Sequence, residues 1–283
     1  MKKRWLCCGL LSAVLVLASC DASDDTDETF EISYDGGGTT LFTGGSLQLH
    51  AVLDGCAVAA DWQTSDAAVA TVDAGLLRGI KSGVVTISAV SGEKSASVDV
   101  FVAGLKSRPS AVGDIVFDDG TAVAYSEHLR FSQQVKAKAV GVVYTTTGGI
   151  KAVSKKAPDK AVVCQRGAGS WNDTRQQYYH SSREAYDFVS GISGSWSMPS
   201  VADMQRISSA FGIVERSLAV CEGRVLHYTS DSRNLYWTSD GTLAEWDNTA
   251  DCGESYTVDI LTGKQVLCNN FQSRHSVLAV KAY

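Results

Sequence analysis

The residue types that most often carry catalysis are present in this chain, but their spacing does not assemble a catalytic site. The five histidines are scattered, and no two of them lie within five residues of each other. The sequence has no Gly-x-Ser-x-Gly elbow, no His-Glu-x-x-His motif and no phosphate-cradling loop. Asp118-Asp119 and Asp251 near Glu254 are acids adjacent in sequence, which alone does not make an acid–base pair. We therefore expect a non-enzymatic protein without a cofactor.

One cysteine, Cys20, has a context with a specific chemical meaning. Three basic residues at 2–4 precede an apolar run of 14 residues, 5–18. That run is shorter than a membrane span requires and is typical of a secretory signal. It ends in Leu17-Ala18-Ser19-Cys20, which resembles a bacterial lipobox. The motif predicts cleavage of residues 1–19, acylation of the Cys20 thiol, and a lipid anchor, which we place in the outer membrane.

Residues 20–29 form an acidic tether with no basic residue. Its carboxylates are Asp21, Asp24, Asp25, Asp27 and Glu28. In some Gram-negative groups such a run resembles a signal for export to the outer leaflet. In other groups an aspartate after the lipidated cysteine means retention at the inner membrane, and a plain solvated linker explains the run equally well. The membrane leaflet stays open.

Length and charge limit the remaining classes. The 283 residues are 45% hydrophobic, which suits two folded domains. The net charge is −6, and no basic cluster follows residue 4, which excludes a nucleic-acid partner. Five cysteines follow Cys20, and their odd number leaves at least one thiol free. They are Cys56, Cys164, Cys221, Cys252 and Cys268. Their pairing stays open, and the absence of a Cys-x-x-Cys motif argues against a zinc ribbon.

Period-two alternation dominates residues 30–103. Residues 46–52, 84–90 and 97–102 alternate apolar with polar side chains, and glycine-bearing breaks separate the runs. Short strands at regular spacing predict a β-sandwich.

Trp62-Gln63-Thr64-Ser65-Asp66, followed by Val69-Ala70-Thr71-Val72 and spaced glycines, resembles the bacterial Ig-like group 2 domain. The resemblance implies an all-β Ig-like module over residues 30–103 that serves as a spacer, although some such domains bind ligands directly. Because an indole buries a large apolar surface, Trp62 is expected to anchor the core.

Residues 110–283 combine both kinds of periodicity. Strand-like runs at 113–117 and 139–144 precede two helices, 185–189 and 204–211, each opened by a capping-box pattern. A hairpin follows at 256–268, and a last strand at 277–283. The order predicts an α+β domain with its own core. Residues 105–110, which include Pro109, are expected to be a short linker.

Two sets of motifs in this region resemble known families. Trp196-Ser197-Met198-Pro199-Ser200 with Asp203-Met204, together with Tyr236-Trp237-Thr238-Ser239, is similar to Lcl-type C-terminal domains of bacterial surface proteins. Residues 241–246 resemble an element of the formylglycine-generating enzyme family. Both resemblances imply a C-type-lectin-like fold. The oxidase chemistry is not implied, because it uses two closely spaced cysteines and the nearest mature pair here is sixteen positions apart.

In lectin-like folds the loops between the late strands bind ligands, and here those loops are residues 240–255 and 269–275. An aromatic ring beside amides and an arginine suits the recognition of a sugar or a protein. The candidate ligand-binding residues are Trp246, Asp247, Asn248, Asn269, Asn270, Gln272 and Arg274, with His275 in the same loop. Trp246 can instead belong to the framework.

A calcium site is the one metal alternative. Hard oxygen ligands are available from Asp247, Asn248, Asp251 and Glu254. A solvated acidic loop explains the same residues and is the preferred interpretation, so no metal is predicted.

Together the patterns predict a multidomain surface lipoprotein in which an all-β Ig-like sandwich precedes an α+β C-type-lectin-like domain. The expected function is binding or adhesion to a glycan or an extracellular protein, with the membrane contacted through the lipid. The alternatives are a structural subunit of a surface fibre and, less favoured, an enzyme on a formylglycine-generating-enzyme-like scaffold.

Lipid anchoring is directly testable with Cys20→Ser. The variant keeps the acidic tether but has no thiol to acylate, so it should partition into the aqueous phase of a detergent phase split. The parent chain should partition into the detergent phase. A variant that still pellets with membranes would show that the lipobox interpretation is wrong.

Overall fold

The fold is known from a computed structural model, which describes residues 28–158, 162, 171–172, 177–178, 184–223, 225–227, 234–243, 253–269 and 273–283. Cys20 and most of the acidic tether lie outside these residues. Within them, no helix is both long enough and apolar enough to cross a membrane. An all-β first module (residues 30–103) precedes an α+β second module (residues 105–283).

Nine short strands form the first module. They are β1 (Phe30–Tyr34), β2 (Thr40–Phe42), β3 (Ser46–Leu53), β4 (Cys56–Val58), β5 (Asp61–Thr64), β6 (Ala70–Asp73), β7 (Leu76–Gly79), β8 (Gly83–Ser91) and β9 (Lys94–Ala103). One sheet has the order β1-β3-β7-β6 with β4 beside β3, and the other has the order β2-β9-β8-β5. All pairings are antiparallel except that of β2 with β9.

The two sheets enclose one core. Val85 and Ile87 on β8 face Leu49 on β3 and Leu77 on β7, and all four are almost fully buried. This arrangement confirms the predicted β-sandwich. Trp62 differs from its expected role, because β5 is an outer strand of its sheet. Its indole is half-buried and packs against the margin of the core, so aliphatic side chains form the centre.

The second module contains eleven described strands and four described helices. Its elements up to the helices are β10 (Leu105–Lys106), β11 (Ile115–Phe117), β12 (Ala122–Val123), α1 (Gln133–Lys138), β13 (Ala139–Thr145), β14 (Lys151–Ser154), β15 (Trp171–Asn172) and β16 (Gln177–Tyr178). They are followed by α2 (Glu184–Ser190), α3 (Val201–Ser209), α4 (Phe211–Val220), β17 (Leu235–Leu243), β18 (Gly253–Asp259), β19 (Gln265–Asn269) and β20 (Val280–Ala282).

An antiparallel six-stranded sheet, β10-β12-β11-β13-β14-β20, is the frame of this module, and β17-β18-β19 form a second sheet. Helices α3 and α4 bury Met204, Ile207, Val214 and Leu218 in a core that they share with both sheets. The predicted α+β composition and the β18–β19 hairpin are confirmed. The sequence does not predict α1 or α4.

The segment expected to be a linker is part of the second module. Leu105 and Lys106 form β10, which pairs with β12. The carboxylate of Asp114, only 1% exposed, accepts hydrogen bonds from the Lys106 ammonium at 2.7 and 2.8 Å. It also accepts the backbone N–H groups of Ser110 and Ala111 at 2.8 and 3.0 Å. These bonds fix the path of the chain between the modules.

Aromatic packing joins the two modules directly. The ring of Phe42 in the first module lies 5.7 Å from that of Phe117 and 6.1 Å from that of Phe131. The Arg130 backbone N–H donates to the Thr40 hydroxyl at 2.6 Å, and the Thr40 N–H donates to the Arg130 carbonyl at 3.1 Å. Each module keeps its own core cluster, and these contacts bridge the two.

A second buried carboxylate, Asp203, connects a helix to the large sheet. Asp203 and Ser200 form the capping box that begins α3. The same carboxylate accepts hydrogen bonds from the Tyr144 hydroxyl and the Lys151 ammonium, each at 2.8 Å. Burial raises the pKa of Asp203, but the hydrogen bonds from Lys151, Tyr144 and Ser200 outweigh it, so the pKa lies below the ordinary value.

The pH dependence of this contact can be measured with Asp203→Asn. A group with a depressed folded pKa contributes stability above its unfolded pKa and loses that contribution as pH falls through the folded pKa. We expect the variant to be about 2–3 kcal/mol less stable near neutral pH, with the difference shrinking in acid. Urea unfolding near neutral pH and in acid measures the difference in stability between the parent and the variant, with exposed Asp187→Asn as the control. A difference independent of pH would contradict the assignment.

The bridge between the cores predicts coupled unfolding. We expect the parent chain to unfold in one transition, and Phe42→Ala, which removes a partly buried ring, to cost roughly 2–3 kcal/mol and to separate two transitions. Trp62→Ala is the matched control, because it shortens an aromatic residue of the same module away from the bridge. Trp62→Ala should lower the midpoint of thermal unfolding but leave a single transition. Two transitions in the parent, measured by calorimetry, would contradict the coupling.

Candidate functional site

The structure describes two of the seven candidate ligand-binding residues predicted from the late loops. Asn269 ends β19, where it pairs with Glu254 of β18. Arg274 forms an ion pair with Glu184 in the first turn of α2, at 2.8 Å from Nη1 to Oε2 and 3.3 Å from Nη2 to Oε1. The others lie outside the described residues; they are Trp246, Asp247, Asn248, Asn270 and Gln272. The loop site therefore stays a prediction.

Arg274 lies in a segment that hydrogen bonds and ring packing hold against the rest of the module. The backbone of His275 exchanges hydrogen bonds with that of Val162 at 2.9 and 3.0 Å. The His275 ring packs edge-on against the buried ring of Trp237, with centroids 4.8 Å apart. The indole N–H of Trp237 donates to the Val162 carbonyl at 2.7 Å. Arg274 thus has a structural role that its sequence position does not reveal.

A different concave site lies where β13, β14 and β20 meet the turn before Trp196. We call it the lysine cleft, and its volume is about 370 Å³. The charged side chains that line it are Lys155, Lys156, Lys281 and Asp118, beside the rings of Trp196 and Tyr283. An apolar wall of Phe117, Ala139, Val140 and Ile192 completes it. A volume of this size is at the lower end of the range for small-molecule sites.

Trp196 forms a rigid side of the lysine cleft. Its side chain is 8% exposed, and its indole N–H donates to the Ser193 carbonyl at 3.0 Å. The ring packs over Gly141 of β13, where an added Cβ would lie 3.0 Å from the ring and 2.3 Å from the Val153 carbonyl oxygen. Glycine is therefore required at position 141 for this close packing of the indole on the sheet.

Tyr283 and Lys281 also line the cleft. The Tyr283 ring is 40% exposed, and the Lys281 ammonium lies 5.1 Å from its centroid. Partial burial raises the pKa of Tyr283, so its phenol is neutral near pH 7 and can donate a hydrogen bond. The cleft thus combines an aromatic surface, a neutral hydroxyl donor and fixed positive charge.

Metal binding finds no candidate cluster among the described residues, and burial weakens the reactivity of one of their thiols. No group of three or more His, Cys, Asp or Glu side chains in the described ranges could hold a metal ion. Of the residues considered for calcium, Asp247, Asn248 and Asp251 lie outside those ranges. Burial raises the pKa of the Cys221 thiol to about 11, which makes it a poor nucleophile.

Comparison with known proteins adds little to this description. No family model matches the chain, and no curated protein matches it by sequence. An EHEC O157:H7 intimin mutant aligns at 13% identity over 90% of this chain and 99% of that chain, with a TM-score of 0.25. The intimin–Tir90 complex aligns at 13% identity over 89% and 99%, with a TM-score of 0.24.

A fimbrial protein from Bacteroides ovatus ATCC 8483 aligns at 12% identity over 90% of this chain and 71% of that chain, with a TM-score of 0.40. Because all three TM-scores are below 0.5, these likenesses assign neither a fold nor a function here. The motif resemblances to Ig-like and Lcl-type domains stay predictions.

Proposed function

We propose that this chain is a non-enzymatic, lipid-anchored protein of the outer membrane that binds a glycan or a protein ligand at the cell surface through its second module. In this proposal Cys20 carries the lipid, the first module is an Ig-like spacer, and the second module has a C-type-lectin-like arrangement. The proposed lectin-like fold of the second module is supported by the motifs at residues 196–204 and 236–239.

The lysine cleft is the observation that carries the proposal. It is a built site, because the buried side chain of Trp196 and the close approach at Gly141 fix one side. It presents positive charge and an exposed aromatic ring, and the described residues contain no group that could hold a metal ion. These features suit the recognition of a ligand.

Adhesion of whole cells tests the function and separates the two candidate surfaces. Cells that display the parent chain are expected to adhere to an immobilised glycan or matrix protein. Cells with Cys20→Ser are not expected to adhere to it. The combined Asn269→Ala, Asn270→Ala and Arg274→Ala variant tests the late loops. Because Arg274→Ala also breaks the ion pair, Glu184→Gln is the matched control. We expect both variants to adhere as the parent does if the cleft binds.

Loss of adhesion in the triple variant, with adhesion retained in Glu184→Gln and an unchanged melting temperature, would place the site on the loops. Equal adhesion of the parent and the Cys20→Ser cells, at equal amounts of folded protein, would contradict a surface-binding function.

A structural subunit of a surface assembly is the second candidate, and one observation favours it. Within the described residues β19 pairs only with β18, so one edge of its sheet is unpaired. Val266 and Leu267 on this edge are 37% and 39% exposed. Exposed apolar edge strands promote pairing between chains. Light scattering of the full chain in detergent should then show polymers that Val266→Lys disrupts.

A further inference from the structure

We propose that the lysine cleft binds one carboxylate-bearing sugar residue, of the hexuronic acid class, as part of a glycan. The inference rests on the proposed function, since it names the ligand class for the same cleft. Three features of the cleft support it: the balance of charge, the apolar wall, and the backbone pairing beside it.

Positive charge in the cleft is in excess and available. Lys155, Lys156 and Lys281 line it, and Asp118 is the one acidic residue among the described lining residues. In the described part of the chain, neither Lys156 nor Lys281 has a carboxylate within 4.0 Å. The Lys155 ammonium donates to the backbone carbonyl of Lys136 and also interacts electrostatically with Glu222, so the charge available to a ligand is that of Lys156 and Lys281. A carboxylate would complete charge-assisted hydrogen bonds to these ammonium groups.

The apolar wall favours a ring over an inorganic anion. Phe117, Val140 and Ile192 give the cleft a surface that phosphate or sulfate could not use. A pyranose ring presents C–H groups that pack on such a surface, and the exposed Tyr283 ring offers a further face. The volume of about 370 Å³ accommodates a single sugar ring with its neighbours rather than a long polymer.

Backbone pairing beside the cleft disfavours an acidic peptide. Extended peptides usually gain affinity by adding a strand to a free sheet edge. The strand next to the cleft, β20, pairs with β14 on one side. On the other side Ser197 and Val280 exchange backbone hydrogen bonds at 2.9 Å. This edge therefore has no free backbone groups at Val280, and a ligand must be recognised by side chains.

Calorimetric titration of the full acylated chain in non-ionic detergent tests the proposal. The ligand is digalacturonate, and its methyl ester is the matched ligand control, because the ester keeps the rings and removes the charges. We expect the acid to bind and the ester to bind at least tenfold more weakly. Affinity for the acid should fall as salt is added, since partly exposed charges are screened.

Protein variants locate the site. Lys156→Gln combined with Lys281→Gln should weaken digalacturonate binding about tenfold or more, because two charge-assisted contacts are lost. Lys81→Gln combined with Lys264→Gln removes the same charge from exposed positions that do not line the cleft. This control should bind within twofold of the parent. Melting temperatures identify any variant that is misfolded. Lys281→Arg keeps the positive charge and should retain binding.

Several outcomes would overturn the assignment. Equal binding of the ester would show that charge is not recognised, and binding unaffected by the cleft variants would place the site elsewhere. Displacement by equimolar inorganic phosphate would indicate a simple anion site, and binding of tetraglutamate without digalacturonate would indicate a peptide ligand. If cells that display the chain still adhere while digalacturonate does not bind, the proposed function stands and only this ligand class fails.

Discussion

The buried carboxylate of Asp203 is the contact on which the second module depends. It closes the capping box of α3 and accepts hydrogen bonds from Tyr144 on β13 and Lys151 on β14, so one side chain joins a helix to two strands. Lys151 is followed in β14 by Ala152, which faces Lys281 in the β14–β20 register. Strand β14, which Asp203 contacts through Lys151, therefore also positions Lys281 of the cleft. The geometry of the cleft thus depends on a contact in the core.

A second buried acid has the same effect at the boundary between the modules. Asp114 accepts hydrogen bonds from the Lys106 ammonium and from two backbone N–H groups. These bonds order a segment of linker length as a strand and a turn. With the contacts of Phe42 to Phe117 and Phe131, this makes the two modules one coupled unit. In the proposed surface protein, such a joint would keep the cleft at a fixed orientation to the first module.

Local patterns in the sequence predict those elements whose signals lie within a few residues. The capping box of Ser200 and Asp203 predicts α3, and alternation predicts the sandwich and the β18–β19 hairpin. The sequence does not predict α4, because it begins directly after Ala210, which has no capping side chain to mark a second helix. The Arg274–Glu184 pair joins residues 90 positions apart. The lysine cleft likewise unites strand ends that only the β14–β20 pairing brings together, so no local spacing could reveal either.

The charge of the whole chain sharpens what the cleft can select. The net charge is −6, and removal of the three basic residues at 2–4 with the signal segment makes it −9. Five of these negative charges belong to the acidic tether, so the total charge overstates the acidity of the two modules. At physiological salt charges interact over only about 8 Å, so a sugar residue with one carboxylate meets mainly the local excess of lysine. Its ring meanwhile gains contact with the apolar wall, which a bare anion cannot use. The basic, partly apolar cleft therefore favours a sugar ring that carries a carboxylate over a bare anion.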